Sequence, residues 1–267
     1  MFTSEATVEL DDRASELTVI PYWKAKALRA ALLTASDLGI PSLRGVLRVE
    51  SSIEVSLGFG SSTSDVTASI RAVLDAFGGN PHHARVARLA VQAESAADPL
   101  MFDEMVLFAH REGRLIESFH AALPPVAVLG FQLGLGPVDT LALPRARYNP
   151  DEIGRFDELR GLLRRAARTG DLAAIGRVAT ESARINQRFL PVPRFDDILG
   201  VARSTGTVGL QVAHSGSIGG FLFDPADPDH AQSVARAEKE LSAIGIDGCW
   251  YYAAEPESIR PRTGGTD

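Results

Sequence analysis

Gly58-Phe59-Gly60-Ser61-Ser62-Thr63-Ser64-Asp65 is the stretch on which the reading of this chain turns. Leu43 to Val55, before it, is strand-like, with Val46, Leu47, Val49, Ile53 and Val55 as apolar members; Thr63 to Phe77, after it, has helical spacing. The glycines let the backbone bend and approach a ligand closely. A helix that starts at once behind them points its unpaired N–H groups at whatever fills the loop, and phosphate binds well there. The hydroxyls of Ser61, Ser62 and Thr63 add donors. The loop is not a Walker A motif, because no Gly-Lys-Ser/Thr follows, and it lacks the third glycine of a dinucleotide fingerprint. Serine and threonine are also ordinary helix N-caps, and from the loop alone capping is the stronger reading.

Upstream, Thr7 to Leu10 and Leu17 to Ile20 read as a strand pair about a polar Asp-Asp-Arg turn. Tyr22 to Leu38 reads as a helix with Leu28, Leu32 and Leu33 on its apolar side and Gly39 as its cap. Downstream, His82 to Ala97 reads as a helix and Met105 to Phe119 as a hairpin through Arg111-Glu112-Gly113. Pro124-Pro125 marks a boundary, giving lobes 1–123 and 124–267. The second lobe opens with a strand at Val126 to Phe131. Helices follow at Asp151–Ala167, Leu172–Phe189 and Phe195–Ser204, strands at Val208–Val212 and Gly220–Phe223, a helix at His230–Ile244 and a last strand at Cys249–Ala253. The whole reads as α+β in two lobes.

Composition bounds the function. The 267 residues are 45% hydrophobic, enough for a sizeable core, and the net charge of −7 without a Lys/Arg block argues against a nucleic-acid partner. The single cysteine, Cys249, excludes an intrachain disulfide or a cysteine metal cluster and fits a reducing compartment. Neither a signal peptide nor a membrane-spanning run is expected, so the expected location is cytoplasmic. His82-His83 and the Arg160, Arg164, Arg165, Arg168 face read as solvated surface.

Three further motifs stand with the loop: Ala213-His214-Ser215-Gly216-Ser217-Ile218-Gly219-Gly220 between two strands; Leu190-Pro191-Val192-Pro193-Arg194-Phe195-Asp196; and Glu94 with Asp98 shortly before the hairpin. Together, and in the order they follow along the chain, they resemble the GHMP kinases, most closely their L-threonine-kinase branch of cobalamin metabolism. The resemblance covers about Leu43 to Asp224. It implies a ribosomal-protein-S5-like N-terminal lobe, a ferredoxin-like C-terminal lobe, ATP, Mg²⁺ and a small-molecule alcohol or amino-acid acceptor. Two departures stand out. The family's first motif, Pro-x-Ser-x-Gly-Glu, is not found, so the chain begins where the family is already in its third or fourth strand. Glu54 and Leu57 occupy the stretch where a proline and a lysine usually precede the loop.

By this resemblance, the backbone of Gly58, Phe59, Gly60, Ser61, Ser62 and Thr63 holds the phosphates, and Ser62 and Glu94 hold Mg²⁺. Asp98 accepts the acceptor's proton, and His214, Ser215, Gly216 and Ser217 line the acceptor pocket. Glu94 and Asp98 are four apart, so on a continuing helix they share a face, with Pro99 leaving Asp98 at the helix tip. A solvated helix end accounts for the pair equally well. A kinase for L-threonine, a kinase for another alcohol such as a sugar or homoserine, and a nucleotide-binding pseudokinase all remain open, as does a homodimer.

Overall fold

A computed structural model describes residues 3–53, 60–134, 146–213 and 216–253. The chain divides into two compact units, Met1–Ser118 and Phe119–Asp267. Among the described residues no helix is long and apolar enough to cross a membrane.

The first unit holds β1 (Ser4–Leu10), β2 (Leu17–Ile20), α1 (Ala25–Asp37), β3 (Gly45–Ser51), α2 (Ser61–Ala76), α3 (His83–Glu94), β4 (Val106–Ala109) and β5 (Arg114–Ser118). The expected pairing of the first two strands does not occur. The order is β1-β3-β2, with β3 antiparallel to β1 and parallel to β2. Gly45 faces Leu10 on one side and Leu17 on the other. The physical reason is the crossover: β2 feeds α1, and α1 returns the chain as a parallel strand in the middle of the sheet. Alternate residues Leu17, Val19, Leu47 and Val49 then point into a core with Ala27, Ala31, Ala35 and Val73, and the opposite face carries Glu5, Glu9, Arg48 and Glu50 to solvent.

Helix α1 buries its alanines most completely: Ala27, Ala30, Ala31 and Ala35 are covered, the expected Leu28 and Leu33 pack partly buried against the cores, and Leu32 is exposed. Small side chains let α1 lie close to α2 and α3, and Ala30 joins Val66, Ile70, Val86, Ala90 and Ala93 in a second core among the helices. The C-terminal residue of α1, Asp37, accepts hydrogen bonds from Arg85 (2.6 Å) and Arg88 (2.5 Å) in the first half of α3. At the other end, the Ser62 and Thr63 hydroxyls bond to Glu94 at the end of α3 and Asp65 pairs with Lys24 before α1, so α1 and α3 run antiparallel with the end of α3 near the start of α1.

The second unit holds β6 (Ala127–Gln132), α4 (Pro150–Thr169), α5 (Leu172–Asn186), α6 (Phe195–Ser204), β7 (Gly209–Val212), β8 (Ile218–Phe223), α7 (His230–Ala243) and β9 (Trp250–Ala253). Its strands are all antiparallel in the order β7-β8-β6-β9. That spatial order, with helices between β6 and β7 and between β8 and β9, is the ferredoxin-like arrangement. Leu129, Phe131, Phe221 and Phe223 meet Ile198, Leu199, Ala237 and Leu241 of α6 and α7 in the main core. The edge of β7 is closed by α5: the Leu210 N–H donates to Thr180 Oγ1 at 2.9 Å. Backbones touch there, since a Cβ added at Gly176 would stand 2.1 Å from the Val208 carbonyl oxygen, and one added at Gly209 would stand 2.3 Å from that of Gly176.

Candidate active site

The N-terminal end of α2 is unusual in how it is capped. The N-cap is Gly60, with φ +71°, and no side chain caps the helix. Ser61, Ser62 and Thr63 lie inside the first turn, so the reading of these hydroxyls as caps is overturned. Their geometry gives the reason: the Ser62 and Thr63 hydroxyls donate to the two carboxylate oxygens of Glu94, at 2.6 and 2.7 Å. A glycine at the cap allows the left-handed turn that aims them there. The Gly60 carbonyl accepts from the Ser64 N–H, which closes the turn and leaves the N–H groups ahead of it directed outward.

Glu94 is buried, and burial pushes its carboxyl above the ordinary glutamate range; the two hydroxyl donors and the charge of Lys26 oppose that shift, and Asp98 adds to it. It is the last residue of α3. Ser95 terminates the helix in the left-handed conformation (φ +68°), donating its N–H to the Val91 carbonyl at 2.7 Å. Asp98 is therefore not on the helix, contrary to the i,i+4 expectation. It reaches the same place by another path: the Ala97 N–H donates to His110 O at 2.9 Å, the Asp98 N–H to Thr63 Oγ1 at 3.3 Å, and Asp98 Oδ2 stands 3.1 Å from where a Cβ on Gly60 would be. Gly60, Ser62, Thr63, Glu94 and Asp98 thus form one cluster.

Sequence reasoning missed how this end of the unit is held. Lys24, just before α1, forms an ion pair with Asp65 in α2, and Ser4 Oγ donates to the other Asp65 oxygen at 2.6 Å. Both charged side chains are nearly covered, at 11% and 7% exposure. A lysine beside a helix start and an aspartate in the loop motif were the available signals.

Gly58, Phe59, His214 and Ser215 lie outside the described residues. Gly216 (φ +73°) and Ser217 belong to the β7–β8 turn of the second unit, where the Gly216 N–H donates to Ala213 O at 2.8 Å and Ser217 O accepts from the Leu133 N–H at 2.9 Å. Cys249 is half-buried with its thiol pushed up to about 11, in keeping with a packed rather than reactive cysteine.

Among the described residues no group of three or more His, Cys, Asp or Glu forms a metal cage. Ser62, Glu94 and Asp98 instead offer a partial set of hard oxygen donors around a desolvated carboxylate. That fits Mg²⁺, which takes one or two carboxylates and completes its shell with water and phosphate.

Family models match both units: "GHMP kinases N terminal domain" over residues 25–102 and "GHMP kinases C terminal" over residues 163–241, together more than half the chain. An L-threonine kinase of Salmonella typhimurium is 30% identical over 197 residues, 73% of this chain and 65% of that protein. A homoserine kinase of Moorella thermoacetica is 27% identical over 198 residues, 71% of this chain and 66% of that protein. The chain thus spans just under two thirds of these relatives. Among solved structures, homoserine kinase from Cytophaga hutchinsonii superposes with a TM-score of 0.67 at 20% identity over 93% of this chain and 84% of that one. Mevalonate kinase of L. major gives 0.66 at 17% identity over 95% and 86%.

Proposed function

The chain belongs to the GHMP kinase family, and from that premise we propose that it is an ATP-dependent kinase that phosphorylates the hydroxyl of a small molecule, L-threonine first among candidates. The observation that carries the reading is the Glu94 carboxylate held by the Ser62 and Thr63 hydroxyls beside an uncapped helix start, with Asp98 against Gly60.

The residues divide the work as phosphoryl transfer requires, by positioning and charge rather than covalent chemistry. The outward N–H groups of the first turn of α2 receive phosphate oxygens. Ser62 and Glu94 hold Mg²⁺, which when bound neutralises phosphate charge. Asp98 takes the proton from the acceptor hydroxyl as its oxygen bonds to the γ-phosphorus and the bond to ADP breaks. Two relatives that act on hydroxylated amino acids by name, one for L-threonine and one for homoserine, support an amino-acid acceptor. Homoserine is the second reading. A cytoplasmic location and a place in cobalamin metabolism belong to the first.

The test is ADP release from ATP and Mg²⁺ with L-threonine, L-serine and L-homoserine. Release with L-threonine alone supports the proposal. Asp98→Asn is expected to lower kcat by about 10²–10⁴-fold while ATP still binds; near-wild-type turnover in that variant would remove Asp98 from the mechanism. Absence of release with every acceptor, alongside ATP binding, favours a nucleotide-binding pseudokinase.

A further inference from the structure

Neutralising a triphosphate calls for cationic side chains as well as metal. The segment from Glu54 to Asp65 contains no Lys, Arg or His, so the loop itself supplies none. Lys24 is engaged by Asp65 and nearly covered. Lys26 differs on both counts: it is exposed, and among the described residues it makes no ion pair.

The helices place it. Ala30 packs among Ala90 and Ala93 of α3. Lys26 is one turn earlier on the same stripe of α1, because residues four apart share a helix face. The two helices run antiparallel, with Asp37 at the end of α1 bonded to the first half of α3, so the start of α1 lies toward the end of α3, where Glu94 stands. The Lys24–Asp65 pair fixes the start of α1 against the start of α2. Three helix ends thus meet, with Lys26 at their exposed rim.

We propose that Lys26 contacts the triphosphate of the bound nucleotide, supplying from α1 the cation that the glycine loop lacks. The proposal rests on the kinase reading above and goes beyond it in assigning a binding role to a helix outside the loop. A lysine–phosphate contact is charge-assisted and flexible, and its loss is expected to weaken nucleotide binding roughly tenfold or more.

The experiment is equilibrium binding of ATP with Mg²⁺, and of AMP, to the full chain. Lys26→Gln is expected to weaken ATP binding about tenfold or more and to leave AMP within about twofold. Lys26→Arg restores most of the loss, since the charge is kept. Arg29→Gln, an exposed cation one turn further along α1, leaves both ligands unchanged. Lys26 is exposed, so its variants keep the wild-type melting temperature. ATP binding by Lys26→Gln at wild-type strength overturns the assignment while leaving the kinase reading intact. So does a loss matched by AMP or by Arg29→Gln, which would report a general field. Wild-type protein that binds no ATP overturns the kinase reading and this assignment with it.

Discussion

Replacing Lys24 with methionine removes one half of a covered ion pair and leaves the other in place. Asp65, 7% exposed, then keeps the Ser4 hydroxyl as donor at 2.6 Å but no opposite charge. Breaking a buried pair in this way costs about 3–5 kcal/mol, and the surviving Ser4 bond argues for the lower end, about 3 kcal/mol. For a domain near the size of the first unit, each kcal/mol moves the melting temperature by about 3–5 °C. The expected fall is therefore about 10–15 °C in the transition of that unit. Removing both charges, as Lys24→Met with Asp65→Leu, leaves no uncompensated ion and should return to within about 1 kcal/mol of wild type. Thermal unfolding followed by circular dichroism, with the two single variants and the double, closes the cycle. If Lys24→Met lies within about 1 kcal/mol of wild type, the pair behaves as a surface bridge and the reasoning fails. It fails equally if the double variant is no more stable than the singles.

Two further predictions concern the cluster itself. Burial raises the folded-state value of Glu94, so the stability this group confers is present below the ordinary carboxylate range and is lost as pH rises through its folded value. Glu94→Gln, which still bonds to the Ser62 and Thr63 hydroxyls, should therefore raise the melting temperature at pH 7, gain less as pH falls into the carboxylate range, and abolish Mg²⁺-dependent turnover. A lower melting temperature at neutral pH would refute the burial argument. Gly60→Ala adds a Cβ 3.1 Å from Asp98 Oδ2 at a left-handed position, costing about 1–2 kcal/mol from the backbone alone and displacing Asp98. Unfolding and kcat should both register it, and an unaltered kcat would detach Asp98 from that loop.

The elements were largely legible because periodicity and punctuation agree. Helix α6 was read to the residue, from Phe195 to Ser204, between Pro193 and Gly206. Partner choice was not legible. The polar turn at Asp11 to Arg13 resembles a hairpin, yet β3 enters between the flanking strands, and alternation marks a strand without naming its neighbour. The end of α3 was misplaced because Ser95-Ala96-Ala97 has helical composition, and a non-glycine residue takes the left-handed position. In the site, Ser62 and Glu94 came from motif resemblance across 32 residues. The Lys24–Asp65 pair, 41 residues apart, leaves no periodic trace: each residue is marked by its place at a helix start or in the loop motif, but nothing in the sequence joins the two.

The contact of α5 with β7 at Gly176 and Gly209 bears on how this chain can vary. A side chain added at either position meets backbone: the Val208 carbonyl in one case, that of Gly176 in the other. A clash with a neighbouring side chain can be relieved by trimming that neighbour, but no second substitution trims a carbonyl. Neither position has a first step toward another residue, nor a partner change that would open one. In a saturation library both should be as intolerant as catalytic residues, although neither has a functional group to contribute, so intolerance at these two sites measures the distance between two backbones.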